Sequence, residues 1–142
     1  MRTQALLGCL VVLLFGLGCS GDGLKRAAVS GKILVDKTPL QEGAITFFPT
    51  EGTQGPSVGA VIENGAYHIP RDKGVIVGKN RVEIRGFRKT GKRVSDPMEP
   101  GKLIDEIVPA LAPQYHSQST LIREIKEGTN TLDFDLPGTK GK

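Results

Sequence analysis

From Val29 onward the chain alternates: Val29, Gly31, Ile33 and Val35 fall on one side of an extended backbone, and Ser30, Lys32, Leu34 and Asp36 on the other. A period of two sends successive side chains to opposite faces, so this stretch predicts a strand with one face buried. Lys37-Thr38-Pro39-Leu40 supplies turn chemistry, and Ala44–Phe48 reads as a second strand stopped by Pro49, which has no amide hydrogen for a ladder. Val58–Ile62 and Tyr67–Ile69 flank Glu63-Asn64-Gly65-Ala66. Asn-Gly between apolar runs predicts a tight hairpin, because both residues tolerate the positive φ of a type I′ turn. In Val75–Phe87, Val82 and Ile84 alternate with Arg81, Glu83 and Arg85, predicting a half-exposed strand. Val75–Val77 fits the preceding turn as well.

Residues 88–114 break the pattern, with many charges and with Pro97, Pro100, Pro109 and Pro113. The expectation there is a long connection with one short strand or turn at Leu103–Val108. Ser119–Ile125 and Thr131–Leu136, joined by Lys126-Glu127-Gly128-Thr129-Asn130, predict a second hairpin, with Leu132, Phe134 and Leu136 facing inward and Asp133 and Asp135 outward. About seven short strands without a helical period predict an all-β fold, a sandwich rather than a small barrel. A helix fails because Gly or Pro interrupts nearly every window, and 19 glycines with 9 prolines suit strands joined by tight turns. At 142 residues the chain supports one core, and with tryptophan absent that core must come mainly from Val, Ile, Leu and Phe.

The first 26 residues have a different character. Arg2 precedes a nearly unbroken apolar run, Ala5–Leu17, of the length of a signal-peptide core and too short to span a bilayer. It ends in Gly16-Leu17-Gly18-Cys19-Ser20-Gly21. This segment resembles the lipobox of bacterial lipoproteins, in which a small residue precedes a cysteine that receives diacylglycerol and becomes the mature N-terminus. The resemblance assigns lipid attachment to Cys19, although Gly16 stands where leucine is usual. Gly16 and Gly18 also satisfy the ordinary secretory cleavage rule, which would release a soluble protein. Cys9 follows a similar run but comes too early to leave an adequate apolar segment before it. The organisation expected is a signal peptide over 1–18, a polar tether over 19–26, one domain over 27–137 and a disordered tail over 138–142. Both cysteines lie in the leading segment, so the domain itself can form no disulfide or thiolate metal site.

The stretch VSGKILVDKTPLQEGAITFFP resembles the opening of carboxypeptidase regulatory-like, transthyretin-like domains, where V-x-G-x-V-x-x-D-G-x-P-L-x-G-A-x-V-x-F recurs. ENGAYHIP is similar to that family's central hairpin and GKNRVEIRG to its following strand. The final VPALAPQYHSQSTLIREIKEGTNTLDFDL looks like the ending of short bacterial lipoproteins of this type. The resemblance covers about Val29 to Leu136 and implies a single immunoglobulin-like or transthyretin-like (prealbumin-like) sandwich. Its motifs specify turns and strand faces, so it implies a fold and no activity. Lys37-Thr38 departs from the usual Asp-Gly, and Asn80-Arg81 stands where an aromatic is common.

Candidate chemistry is sparse. His68 and His116 are the only histidines, and a metal would need them joined by a carboxylate such as Asp72 or Asp105, which the spacing does not suggest. Ser117, His116 and Asp105 lack a nucleophile elbow. Transthyretin-like hydrolases of 5-hydroxyisourate end in a Tyr-Arg-Gly-Ser-type motif, whereas this chain ends Leu-Pro-Gly-Thr-Lys-Gly-Lys. No enzyme, cofactor or metal is therefore expected. Lys79, Arg81, Arg85, Arg88, Lys89, Lys92 and Arg93 stand against Glu83 alone, a candidate contact for an anionic lipid or acidic polymer. Only Phe87 interleaves for base stacking, which disfavours nucleic acid. A solvated strand face whose long side chains blunt an edge explains the same run. The expected function is a non-catalytic, membrane-anchored envelope module for adhesion, scaffolding or protein and polymer interaction. The alternative is a secreted sandwich binding a small ligand or carbohydrate.

Overall fold

Eleven strands and two short 3₁₀ turns make up the computed structural model, which describes residues 23–139. The strands are β1 (Arg26–Val35), β2 (Thr38–Pro39), β3 (Glu42–Pro49), β4 (Val58–Glu63), β5 (Ala66–Ile69), β6 (Val75–Ile76), β7 (Gly78–Ser95), β8 (Leu103–Pro109), β9 (Ile122–Ile125), β10 (Thr129–Thr131) and β11 (Phe134–Leu136). The 3₁₀ turns are Arg71–Lys73 and Pro113–Tyr115. The fold is an all-β sandwich. Its strand number exceeds the expected seven because β2, β6, β10 and β11 are pieces of two or three residues. The segment expected to be a signal peptide, with Cys9, Cys19 and the rest of residues 1–22, and residues 140–142 lie outside the described residues.

The hydrogen-bonded order is β10-β1-β5-β4-β3-β7-β8, with β9 on β7 and with β2, β6 and β11 on β1. Because β9 and β10 are joined by a short turn yet pair with β7 and β1, the two ends of this order are drawn together and the sheet curls over its own inner face. The alternation in the sequence fills that face. Val29 and Ile33 from β1, Ile45 and Phe47 from β3, Ile62, Tyr67 and Ile69 from the β4–β5 hairpin, and Val82 and Ile84 from β7 are all buried. Phe134 and Leu136 close the core, and Leu132 is half-buried beside it. Tyr67 sends its hydroxyl to Leu132 O at 2.9 Å, and burial, aided by the charge of Asp133, pushes its pKa well up.

The turns follow local chemistry. Asn64 and Gly65 have φ of 49° and 77°, the type I′ geometry expected of Asn-Gly. Asp36 and Lys37 also take positive φ, 49° and 65°, so the tight turn after β1 sits there, ahead of the Thr38-Pro39 pair that forms β2. Lys37 pairs with Asp135 and Gly138 N–H donates to Asp36 Oδ1, ties that help hold the strained turn.

Three expectations require correction. Residues 88–114 are not mainly irregular: the short strand expected at Leu103–Val108 is present as β8, but β7 also runs on to Ser95 and pairs with it, forming a long hairpin turned by residues 96–102. The final segments do not form a hairpin. β9 lies antiparallel on β7, whereas β10 and β11 lie parallel on β1, and Asn130 holds the turn between them by bonding both Lys126 N–H and Lys126 O. The domain also extends past its expected bounds. Arg26 pairs with Ile76, Thr139 N–H donates to Ala110 O at 2.9 Å, and Leu111 bridges Gly138.

Candidate functional site

The basic run divides along β7. At its start, Lys79 reaches Glu51 at 2.5 Å, and that bond and charge raise the lysine pKa. Arg81 and Arg85 flank Glu83 on the outer sheet face at 2.6 and 3.3 Å, and Arg81 also stacks over Phe48. The expected half-exposed face is in fact closed at its middle, where Glu83 is only 9% exposed. Burial alone would raise the Glu83 pKa, but the hydrogen bonds and charges of Arg81 and Arg85 outweigh it and hold the carboxyl below its usual range. A depressed folded-state pKa stabilises the fold above the unfolded-state value and loses that contribution as pH falls through the folded one. Glu83→Gln should therefore flatten the acid limb of the urea-midpoint profile and cost about 1 kcal/mol at neutral pH, a modest sum because both arginines remain partly solvated. An acid limb unchanged by the substitution would show that Glu83 does not carry this effect.

Arg88, Lys89, Lys92 and Arg93 lie on the second half of β7. β3 covers β7 on one side only from Asn80 to Phe87, and β8 covers the other side from Phe87 to Ser95. Beyond Phe87 the hairpin therefore continues as a two-stranded ribbon, roughly 20 Å long at the usual rise per residue. A register shift between Lys89 and Arg93 places a bulge at Thr90–Lys92, with Gly91 at φ 83° and Thr90 Oγ1 bonded to Glu106 at 2.6 Å. Lys89 pairs with Asp105 at 2.8 Å, raising its own pKa and lowering that of the aspartate, and Arg93 donates to Leu103 O. The side chains of Arg88 and Lys92 make no ion pair among the described residues.

The ribbon also exposes apolar surface. By register, Phe87, Ile107 and Leu103 share one face, and they are 52%, 60% and 52% exposed, with Met98 fully presented at the tip. At the ribbon's base a groove of about 880 Å³ is lined by Val35, Pro39 and Leu40 on one side and Phe87, Lys89 and Ile107 on the other. Of the exposed apolar residues the sequence singles out only Phe87, for stacking, although Leu103 and Ile107 fall within the short strand or turn expected at Leu103–Val108. That segment is β8, and what the sequence does not show is that its in-phase apolar residues, Leu103 and Ile107, stay exposed.

The groove and ribbon lie far from where the described chain begins. β1 and β7 run in the same direction, with Arg26–Ala27 and Gly78 at one pole and Val35 and Phe87 at the other. At about 3.3 Å per residue, β1 separates the poles by about 30 Å.

The remaining candidates do not converge. His68 is exposed on β5, Asp72 sits in the first 3₁₀ turn and Asp105 is on the ribbon. Among the described residues no group of three His, Cys, Asp or Glu could hold a metal ion, and no hydrogen bond joins Ser117, His116 and Asp105. No helix among them is long and apolar enough to cross a membrane. No protein-family model, curated protein or solved structure matches the chain.

Proposed function

We propose that this chain is a non-catalytic cell-envelope lipoprotein, held to a membrane by a lipid on Cys19, whose sandwich serves adhesion, scaffolding or interaction with a protein or acidic polymer. The observation that supports this reading most directly is the ribbon at the pole opposite the start of β1. A domain tethered through residues 19–25 would hold its exposed apolar and basic residues away from the bilayer, where a partner can reach them. A two-stranded ribbon is marginal by itself in water, so its apolar residues are better accounted for by contact than by folding. The likeness to carboxypeptidase regulatory-like domains agrees with a module that binds rather than reacts.

The groove favours a second reading, a small-ligand or carbohydrate-binding domain, because its volume lies in the range of ligand sites and Phe87 offers one half-exposed ring. Labelling with radioactive palmitate tests the anchor: wild type should incorporate label and Cys19→Ala should not, and equal incorporation in both would remove Cys19 as the acceptor. A crosslinker carried at Met98 should capture an envelope protein or polymer in whole cells while one carried at His68 does not. Capture at both sites alike, or at neither, would count against the ribbon as the contact.

A further inference from the structure

The edge of β7 is incomplete on one side. β3 ends its pairing at Glu42 opposite Phe87, and from there the chain departs toward β2, so among the described residues no strand stands beside Arg88–Ser95 on the β3 side. The groove opens at that point, with Leu40 closing its floor and Gln41 and Glu42 on one rim and Phe87, Arg88 and Lys89 on the other. We infer that an extended, acidic and apolar polypeptide segment of a partner protein adds here as a strand, continuing the lane of β3 antiparallel to β7. This rests on reading the domain as an interaction module and does not depend on the lipid.

Three features specify the occupant. Unpaired amide and carbonyl groups on a strand edge favour extended backbone. The bulge interrupts the edge after Thr90, so backbone pairing is short, and side chains must supply the rest of the affinity. Apolar side chains of the occupant would lie against Phe87, which is half exposed on the strand it joins. Residues 88–95 contain four cations and no acid, and Arg88 and Lys92 have no ion partner among the described residues, so the occupant's charge is negative. Glu42 at the near rim sets the polarity, because it repels carboxylates at that end and directs them toward Lys92 and Arg93. A second copy pairing through this edge would set cations against cations in an antiparallel arrangement, which charge opposes.

The test uses the full chain in detergent micelles and a capped synthetic peptide alternating valine and glutamate. Saturable binding is expected, with slowed amide hydrogen exchange at Arg88–Thr90. Affinity should fall about tenfold or more in Lys92→Glu/Arg93→Glu, whose circular dichroism should match wild type because both side chains are solvated. A glutamine version of the peptide should bind weakly, and a version with alternate backbone amides methylated should not bind. Equal affinity for the glutamine peptide would overturn the charge argument. Unchanged affinity for the methylated peptide would show a polyanion surface in place of strand addition, and self-association blocked by the peptide would assign the edge to a second copy. An envelope partner retained by the chain but not displaced by the peptide would sink this inference and leave the interaction-module reading standing. Absence of both peptide and partner binding would sink the two together.

Discussion

Gly31→Ala is expected to cost about 3 kcal/mol or more and to leave little folded protein. Gly31 sits on β1 opposite Tyr67, and a methyl group there would fall 1.9 Å from Leu132 O and 2.6 Å from its carbon. The obstacle is backbone. Leu132 is held by its own N–H on Ser30 O at 2.9 Å and by the Tyr67 hydroxyl on its carbonyl, while the neighbouring Asp133 Oδ1 accepts from Lys32 N–H at 2.7 Å. Moving the strand aside would break several of these bonds between β1 and the C-terminal segment. Urea denaturation of the purified chain measures the loss, and a variant within about 0.5 kcal/mol of wild type would mean that the parallel seam is wrongly placed.

Phe47→Ala should lose about 3–5 kcal/mol, and Phe87→Ala no more than about 0.5. Phe47 is fully buried, opposes Val82 and Val58 on its two neighbouring strands, and lies 6.4 Å from the Tyr67 ring. Truncation leaves a cavity bounded by two paired strands, which cannot collapse without breaking register. Phe87 is half exposed where the ribbon leaves the sheet, so removing its ring opens no cavity. Against a total stability of about 5–15 kcal/mol, the first variant should be close to unfolding at growth temperature. Similar denaturation midpoints for the two would contradict the assignment of inner and outer faces.

The contrast between these phenylalanines shows what sequence alone could supply. Phe47 was readable as core because it stands in phase with Ile45 inside a run ended by Pro49. The same logic placed Val29 and Ile33, the Asn64-Gly65 turn, and the separation of Val82 and Ile84 from Arg81, Glu83 and Arg85. Each is set by neighbours within a few residues. Of the ribbon, the short strand or turn expected at Leu103–Val108 corresponds to β8. The run of β7 past Phe87 was hidden because it is exposed on both faces, so burial imposes no single period, and Pro97 and Pro100 read as breaks although they sit in the turn between β7 and β8. The seam was hidden for another reason: Lys126–Asn130 has the composition of a hairpin loop, and nothing local reveals that each flanking strand finds its partner elsewhere. Of the basic run, the residue types were plain, but its division depended on Glu51, Glu83 and Asp105, two of which lie distant in sequence.

That seam also bears on the order of events when the protein is made. β1 is among the first folded residues to emerge, yet its parallel neighbours, Thr129–Thr131 and Phe134–Leu136, come about a hundred positions later. For a chain made from its amino terminus, the strand on which five others converge stays incomplete until residues 129–136 are available. The parallel seam is thereby a late event, and a chain made only as far as β9 keeps one side of β1 open.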